Sequence, residues 1–312
     1  MAPIQVSTKR MRAKHPYEVV SFLHEHRLFS RKSWLTFDKS HYELYQHVAK
    51  ELIYEAKKLY CSFALIQSLM QEFRSPLHRP YIRTPLEDGF KALCDSEGFN
   101  LTVMVNAIRM WMHAPLEDEF LLKTNTLYVV GDSTTDADAF TTYLLKYFDL
   151  IVTADLNQFD PFQYLPGRKV IKMLHFPLTT GLQSFNNPYV NTLLRGKEVN
   201  LPVKKNTKSM GPYKCVVRLR QVPKPNLLPT NSREHIIINF ASGNPDTYFH
   251  PAELARYIQK LREVHVRAEL VTCKNDFNCI CSSNQLDIVC EVCRNCRIIL
   301  TDDDDVSVTD TD

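Results

Sequence analysis

The chain has 312 residues, 44% hydrophobic and 23% charged, which describes a folded protein of one large or two ordinary domains rather than a disordered one. Its net charge of +3 is too small to name a partner. No apolar run reaches the roughly 18 residues of a membrane span, and the N-terminus shows no signal-peptide pattern, so neither a membrane partner nor secretion is expected.

Residues 1–15, with "STKRMRAKH", read as a flexible basic arm. From Pro16 to Leu28 the spacing of Val19, Phe22 and Leu23 predicts a helix face, and the His24 and His26 pair on that helix is expected to face solvent. Ser40 followed by Glu43 is a capping-box pattern. The helix it starts is expected to carry Leu44, Val48, Leu52, Ala56 and Leu59 on one side. "TPLE", Thr84 to Glu87, marks another helix start, with a cap, a proline at the first helical position and a glutamate at the third. A helix pair follows through "GFKALCDSEGFNLTVMVNAIRMWMHA", so residues 16–120 read as a helical module.

The pattern changes at Thr126. Leu127–Val130, Leu150–Thr153, Val170–Phe176, Cys215–Leu219 and Ile236–Phe240 are β-rich runs separated by turn residues. Helical periodicity returns with Ala252, Leu254, Ile258 and Leu261 behind Pro251. The fold class is α/β: a helical N-terminal module, an α/β core over 121–270, a small cysteine-rich C-terminal knuckle over 271–300 and an acidic tail over 301–312.

Of nine cysteines, Cys61, Cys94 and Cys215 are scattered and read as buried small hydrophobes. The other six follow C-x5-C-x-C-x8-C-x2-C-x2-C from Cys273 to Cys296. Without a secretory signal such a cluster points to metal before disulfides. Cys290, Cys293 and Cys296 are spaced for thiolates to converge on one ion, with Cys279 or Cys281 completing a tetrahedral site for one structural zinc. The alternative is a thiol-rich tail without metal.

The stretch "LYVVGDSTTDADAF" has the layout of a phosphate-binding loop, a short apolar strand running into glycine, a polar turn and a helix. Against the pattern G-x-x-x-x-G-K-[ST], Gly131 keeps the first glycine. Asp136 stands at the second, Ala137 at the lysine and Asp138 at the Mg²⁺-binding hydroxyl. Thr134 and Thr135 complete the candidate loop. Such a loop works through backbone N–H groups, a helix N-terminus and a lysine on the β- and γ-phosphates. Here the charge is missing, and two carboxylates replace it.

In this order the pieces resemble the helicase part of parvoviral Rep or large non-structural replication proteins, which are superfamily-three AAA+ ATPases. The resemblance rests on "VVSFLHEHRLFSRKSWLTFDKSHYELY", on the helix pair before the loop, on "NTLYVVGDSTT", on "LLRGKEVNLPVKKNTKSMGPY" as the lysine-bearing hairpin, on "SREHIIINF" and on "HPAELARYIQKLRE". It covers roughly Pro16 to Glu263 and not the family's nicking nuclease. In kind the chain is most similar to the Rep-like accessory proteins of bird adenoviruses.

The resemblance implies an AAA+-like core with Arg233 at the arginine-finger position and a polar sensor near Arg220 or Gln221. It also places Lys204, Lys205 and Lys208 on a hairpin that touches the DNA backbone, within a basic run from Arg195 to Lys224 that includes Lys214 and Arg218. The next core strand, within "RKVIKMLHFPLTTG", should carry the acids that bind Mg²⁺ and orient water, and no acid occurs between Asp160 and Glu198. Hydrolysis is therefore expected to be lost, with no catalytic residue and no ATP or Mg²⁺ as cofactor. The expected function is that of a viral accessory or regulatory factor in the host nucleus, binding DNA without sequence preference, viral or host nuclear proteins, or other copies of itself. The alternatives are a divergent ATP-dependent viral DNA helicase and a host-protein-binding factor with no nucleic-acid role.

Overall fold

The computed structural model describes residues 15–74, 88–113, 124–156, 170–179, 187–203, 206–221, 234–241 and 249–261, with residues 162, 185, 228, 230 and 243 singly. The basic arm, the "TPLE" start, the cysteine-rich stretch and the acidic tail lie outside the described residues. Contacts divide the chain into two units, residues 1–62 and 63–312.

The first unit is built from α1 (Pro16–Glu25), α2 (Arg31–Phe37), α3 (Lys39–Tyr45) and α4 (Ala49–Ser62). Proline opens α1, where its missing N–H is harmless. Ser30 and Ser33 form a reciprocal capping box that opens α2. Ser40 is not the cap expected of it. The Asp38 carboxylate accepts from the His41 amide at 2.9 Å and starts α3, which stops at Tyr45 before α4 begins afresh at Ala49.

That break rotates the buried face to Ala49, Leu52, Ile53, Ala56 and Tyr60, and leaves Leu44 outside at 43% exposure. Trp34 is fully buried, and its Nε1–H donates to His41 Nδ1 at 3.2 Å. The histidine pair of α1 is also corrected. His24 is buried, 6.3 Å from the Tyr60 ring, and His26 is half-buried between Phe22 and Phe37. Imidazole has enough apolar ring surface to extend the Val19–Leu23 stripe toward α4, a reading that polarity alone obscured.

In the second unit α5 (Leu65–Arg74), α6 (Gly89–Glu97) and α7 (Leu101–Met112) precede β1 (Thr126–Val130) and α8 (Ala137–Leu145). Then come β2 (Ile151–Thr153), β3 (Met173–Thr179), α9 (Pro188–Leu194), β4 (Val199–Val203), β5 (Asn206–Met210), β6 (Lys214–Leu219), β7 (His235–Asn239) and α10 (Pro251–Lys260). Five strands form one parallel sheet in the order β2-β3-β6-β1-β7. Period-two alternation divides its side chains. Leu127, Val129, Val216, Ile236 and Ile238 face a core with α5, α6, α7, α8 and α10. Tyr128, Leu174, Phe176, Val217 and Ile237 face a second core with α9. Both faces are covered, which is why the strands read as nearly continuous apolar runs.

The helices over 65–112 therefore belong to the unit that holds the sheet. Arg109 on α7 donates to the carbonyls of Ile258 and Leu261, placing a cation at the negative end of α10. Glu253 accepts from the Phe90 amide at 2.6 Å and from the His250 amide at 2.9 Å, so one carboxylate caps α10 and ties it to α6. Burial raises the Glu253 pKa above the ordinary value. Cys94 and Cys215 are buried as expected, and burial pushes both thiols up to about 12. Cys61 is only partly buried.

His175 on β3 is held neutral by burial, its pKa lowered from 6.5 to about 4. A depressed folded-state value means that the unfolded chain takes up the proton first. Stability is then fully present above pH 6.5 and is lost as pH falls toward 4, by about 3 kcal/mol in all. Urea midpoints followed through the sheet unit are expected to drop across this window and to flatten in His175→Phe. An equal slope in both proteins would rule this source out.

Candidate functional site

The loop between β1 and α8 lies at the carboxyl end of β1, between β6 and β7, the edge where parallel α/β sheets place ligands. Gly131 has φ 155°, and a Cβ there would run into Thr135 Oγ1 and stand 3.2 Å from the Phe240 carbonyl. From the other side Gly243 packs so closely that a Cβ would strike the Thr134 carbonyl. The two glycines thus let the loop pack closely against the stretch that follows β7.

Three of the loop's amides already have acceptors. Gly131 N–H donates to the Leu219 carbonyl at 3.0 Å, and Thr135 N–H to the Asp132 carbonyl at 3.3 Å. Asp132 Oδ1 accepts from the Thr134 amide at 2.8 Å and from its hydroxyl at 2.5 Å. The Thr134 hydroxyl and amide, with the charges of Arg218 and Arg220 beyond them, hold the Asp132 carboxyl below its ordinary value. A phosphate loop keeps such N–H groups for anionic oxygens. This one closes them into an Asp turn.

What enters the loop is Arg218. It sits near the end of β6, 2% exposed, on the sheet face that α8 covers. Its Nε donates to Asp138 Oδ1 at 2.7 Å. One terminal nitrogen donates to the carbonyls of Gly131 at 2.6 Å and Leu219 at 2.5 Å, and the other to the carbonyl of Asp132 at 3.2 Å. Guanidinium carries five N–H donors in a rigid fork and no acceptor, and here it meets carbonyls and one carboxylate. The polarity of a phosphate cradle is inverted, with acceptors turned inward around a cation that the protein supplies.

The expected loop residues therefore take up different places. Asp136 is buried at the N-terminal boundary of α8, Ala137 is buried beside it, and Thr134 is exposed. Asp138, in the first turn of α8, does not stand against an absent phosphate but pairs with Arg218. Arg220 and Gln221, expected near a sensor, are exposed past the end of β6, and the residue reaching the loop is Arg218. This also removes Arg218 from the basic surface read in the run to Lys224. Lys214 leaves it too: its Nζ donates to the Thr124 carbonyl at 2.6 Å, and burial lowers its pKa to about 8.

The lysine-bearing hairpin exists as the antiparallel pair β4–β5, with Lys208 half-buried opposite Leu201. Lys204 and Lys205 lie outside the described residues, as do Arg233, Cys279, Cys281, Cys290, Cys293 and Cys296. Among the described residues no group of three or more His, Cys, Asp or Glu is placed to hold a metal ion. The β3 strand, Met173 to Thr179, carries no acid.

No model of a known protein family matches the chain. Over 172 residues it is 38% identical to the uncharacterized protein ORF12 of fowl adenovirus A serotype 1 (strain CELO / Phelps), an overlap of 55% of this chain and 82% of the fowl adenovirus protein. Two solved structures of JCV helicase, one of them with a bound acetamide compound, overlap 73% of this chain and 78% and 77% of their own. Their identities are 15% and 14% and their TM-scores 0.34 and 0.35, values at which the likeness carries no argument.

Proposed function

The chain belongs to the family of the fowl adenovirus ORF12 protein, and on that premise we propose that it is a viral accessory factor built on a helicase-like α/β core that does not work as a nucleotide-driven motor. One observation carries this reading: the Arg218 guanidinium lies among the carbonyls of Gly131, Asp132 and Leu219 and against Asp138. A nucleoside triphosphate with Mg²⁺ does not fit these residues. The inward-facing acceptors repel phosphate oxygens, Ala137 offers no charge, and the amides of Gly131, Thr134 and Thr135 already have acceptors. Displacing the arginine would leave the buried Gly131 carbonyl without its donor, which costs about 1–3 kcal/mol before any phosphate contact forms.

On this reading the protein acts through surfaces in viral genome replication or in control of the host, within the nucleus. The β4–β5 hairpin, with Lys204, Lys205 and Lys208, is the candidate contact to a nucleic-acid backbone, and its binding would be salt-sensitive and indifferent to sequence. The deciding experiment is thermal unfolding of the purified chain with and without millimolar Mg-ATP, paired with a phosphate-release assay in the presence of DNA. A ligand present at a hundred times its Kd adds about 2.7 kcal/mol, so the expected result is an unchanged midpoint and no release. Robust turnover that disappears on changing Arg233 would sink this reading in favour of a divergent helicase.

A further inference from the structure

Strand β6 turns two cations to one face of the sheet, and among the described residues only one of them meets a counter-charge. Side chains alternate along a strand, so Lys214, Val216 and Arg218 share a face. At the carboxyl end Arg218 meets Asp138 and the loop carbonyls. At the amino end Lys214 is half-buried, and its Nζ donates to the Thr124 carbonyl at 2.6 Å. Among the described residues that carbonyl is its one acceptor, and no carboxylate pairs with it.

The neighbouring elements explain why. Register places Met173 of β3 opposite Lys214, and Lys172 beside it is a second cation, bonded to the Phe63 carbonyl. From β1 and the turn before it come Thr124, Asn125 and Thr126, none of them ionisable. Cys215 follows on the same strand, but burial pushes its thiol up to about 12, so it carries no charge near neutral pH. At the end of α9 Arg195 reaches Glu234 at 3.8 Å, and that acid stands before β7, on the far side of β1. His235 opens β7, bonded to Thr230. Burial therefore decides the protonation of Lys214, and lowers its pKa from 10.5 to about 8.

An ammonium kept from water without an anion gives up its proton, and the neutral amine is a nucleophile. The bond to Thr124 uses one N–H and leaves the lone pair free to attack. We propose that Lys214 is an acyl-acceptor site, at which Nζ attacks the carbonyl carbon of a small thioester. The C–N bond forms and the C–S bond breaks. The sulfur leaves with the electron pair and takes up the proton that nitrogen gives up. The product amide keeps one N–H for the Thr124 carbonyl and has no charge to desolvate. An aldehyde would instead give a neutral imine, which has no N–H and leaves that carbonyl without a donor. The site thus favours acyl transfer over imine formation, and half-burial favours a short acyl group.

The test exposes the intact chain to acetyl coenzyme A between pH 6.5 and pH 9.5. Peptide mass spectrometry reads the initial rate of acetylation at Lys214, corrected for thioester hydrolysis. In the folded chain the rate is expected to rise about tenfold per pH unit at first and to level off above about 8. In guanidinium chloride the same residue should keep rising to pH 9.5, as an ordinary lysine does with its pKa of about 10.4. Comparing one residue in two states separates the effect of the fold from that of the local sequence. No acetylation at Lys214 in the folded chain, or a rate that climbs through pH 9.5 in both states, overturns the proposal. Both outcomes are read on the unaltered protein and do not depend on whether the loop binds nucleotide.

Discussion

Arg218→Ala is expected to lower the stability of the sheet unit by about 3–5 kcal/mol, the range for breaking a buried charged pair. The decisive comparison is with Asp138→Asn, for which about 1–2 kcal/mol is expected once solvent screening is allowed for. The asymmetry follows from exposure: Arg218 is 2% exposed and Asp138 is 58% exposed. Freed Asp138 returns to water, whereas truncated Arg218 strands the Gly131 carbonyl, worth about 1–3 kcal/mol when left without a donor, and leaves the Leu219 carbonyl to the Gly131 amide alone. Arg218→Lys should recover only part, because a point charge cannot serve Asp138 and three carbonyls from one fork. Urea midpoints at unchanged slope give the values. Equal losses for the two truncations would make this an ordinary ion pair and not a filled loop.

Trp34→Ala should unfold the first unit while the sheet unit keeps its structure. Truncating a fully buried tryptophan costs about 3–5 kcal/mol, and the His41 bond goes with it. Domains below about 70–80 residues seldom hold more than 3–5 kcal/mol in their cores, and this unit ends at Ser62. Hydrogen exchange should therefore lose protection across α1–α4 and retain it in β1, β6 and β7. A matched control is Leu35→Ala at 43% exposure, expected within about 0.5 kcal/mol of wild type. Protection that survives in α1–α4 of Trp34→Ala would mean that Trp34 is not the keystone of that core.

Much of this was legible in the sequence, and the failures have physical causes. The α6–α7 pair, α10 and the apolar part of each core strand announced themselves, because propensity and burial agree there. The α3–α4 break did not. Asp38 and Ser40 are both good caps, and only the hydrogen bond to the His41 amide shows which one starts the helix. The strand over 173–179 runs later than the apolar run from Val170 suggested, since pairing with β2 and β6 sets its limits.

Arg218 was counted as surface charge because a basic residue in a basic run looks solvated. The missed signal was local. In "KCVVRLR" an arginine interrupts a strand that is otherwise apolar throughout, and a buried cation must have an anion, which the acid at the loop's hydroxyl position supplies. Only the fold brings residues 138 and 218 together.

The inverted loop also bears on the mutational routes open to the protein. Replacing Asp138 by threonine, the first step toward a Mg²⁺-binding hydroxyl, leaves Arg218 buried without its carboxylate. Replacing Ala137 by lysine sets a second cation into a position that is now fully buried, beside the one already there. Removing Arg218 first strips the loop of the donors that hold it closed. Each single change lowers stability before any nucleotide contact is gained, so no one substitution converts this loop into a phosphate cradle without loss.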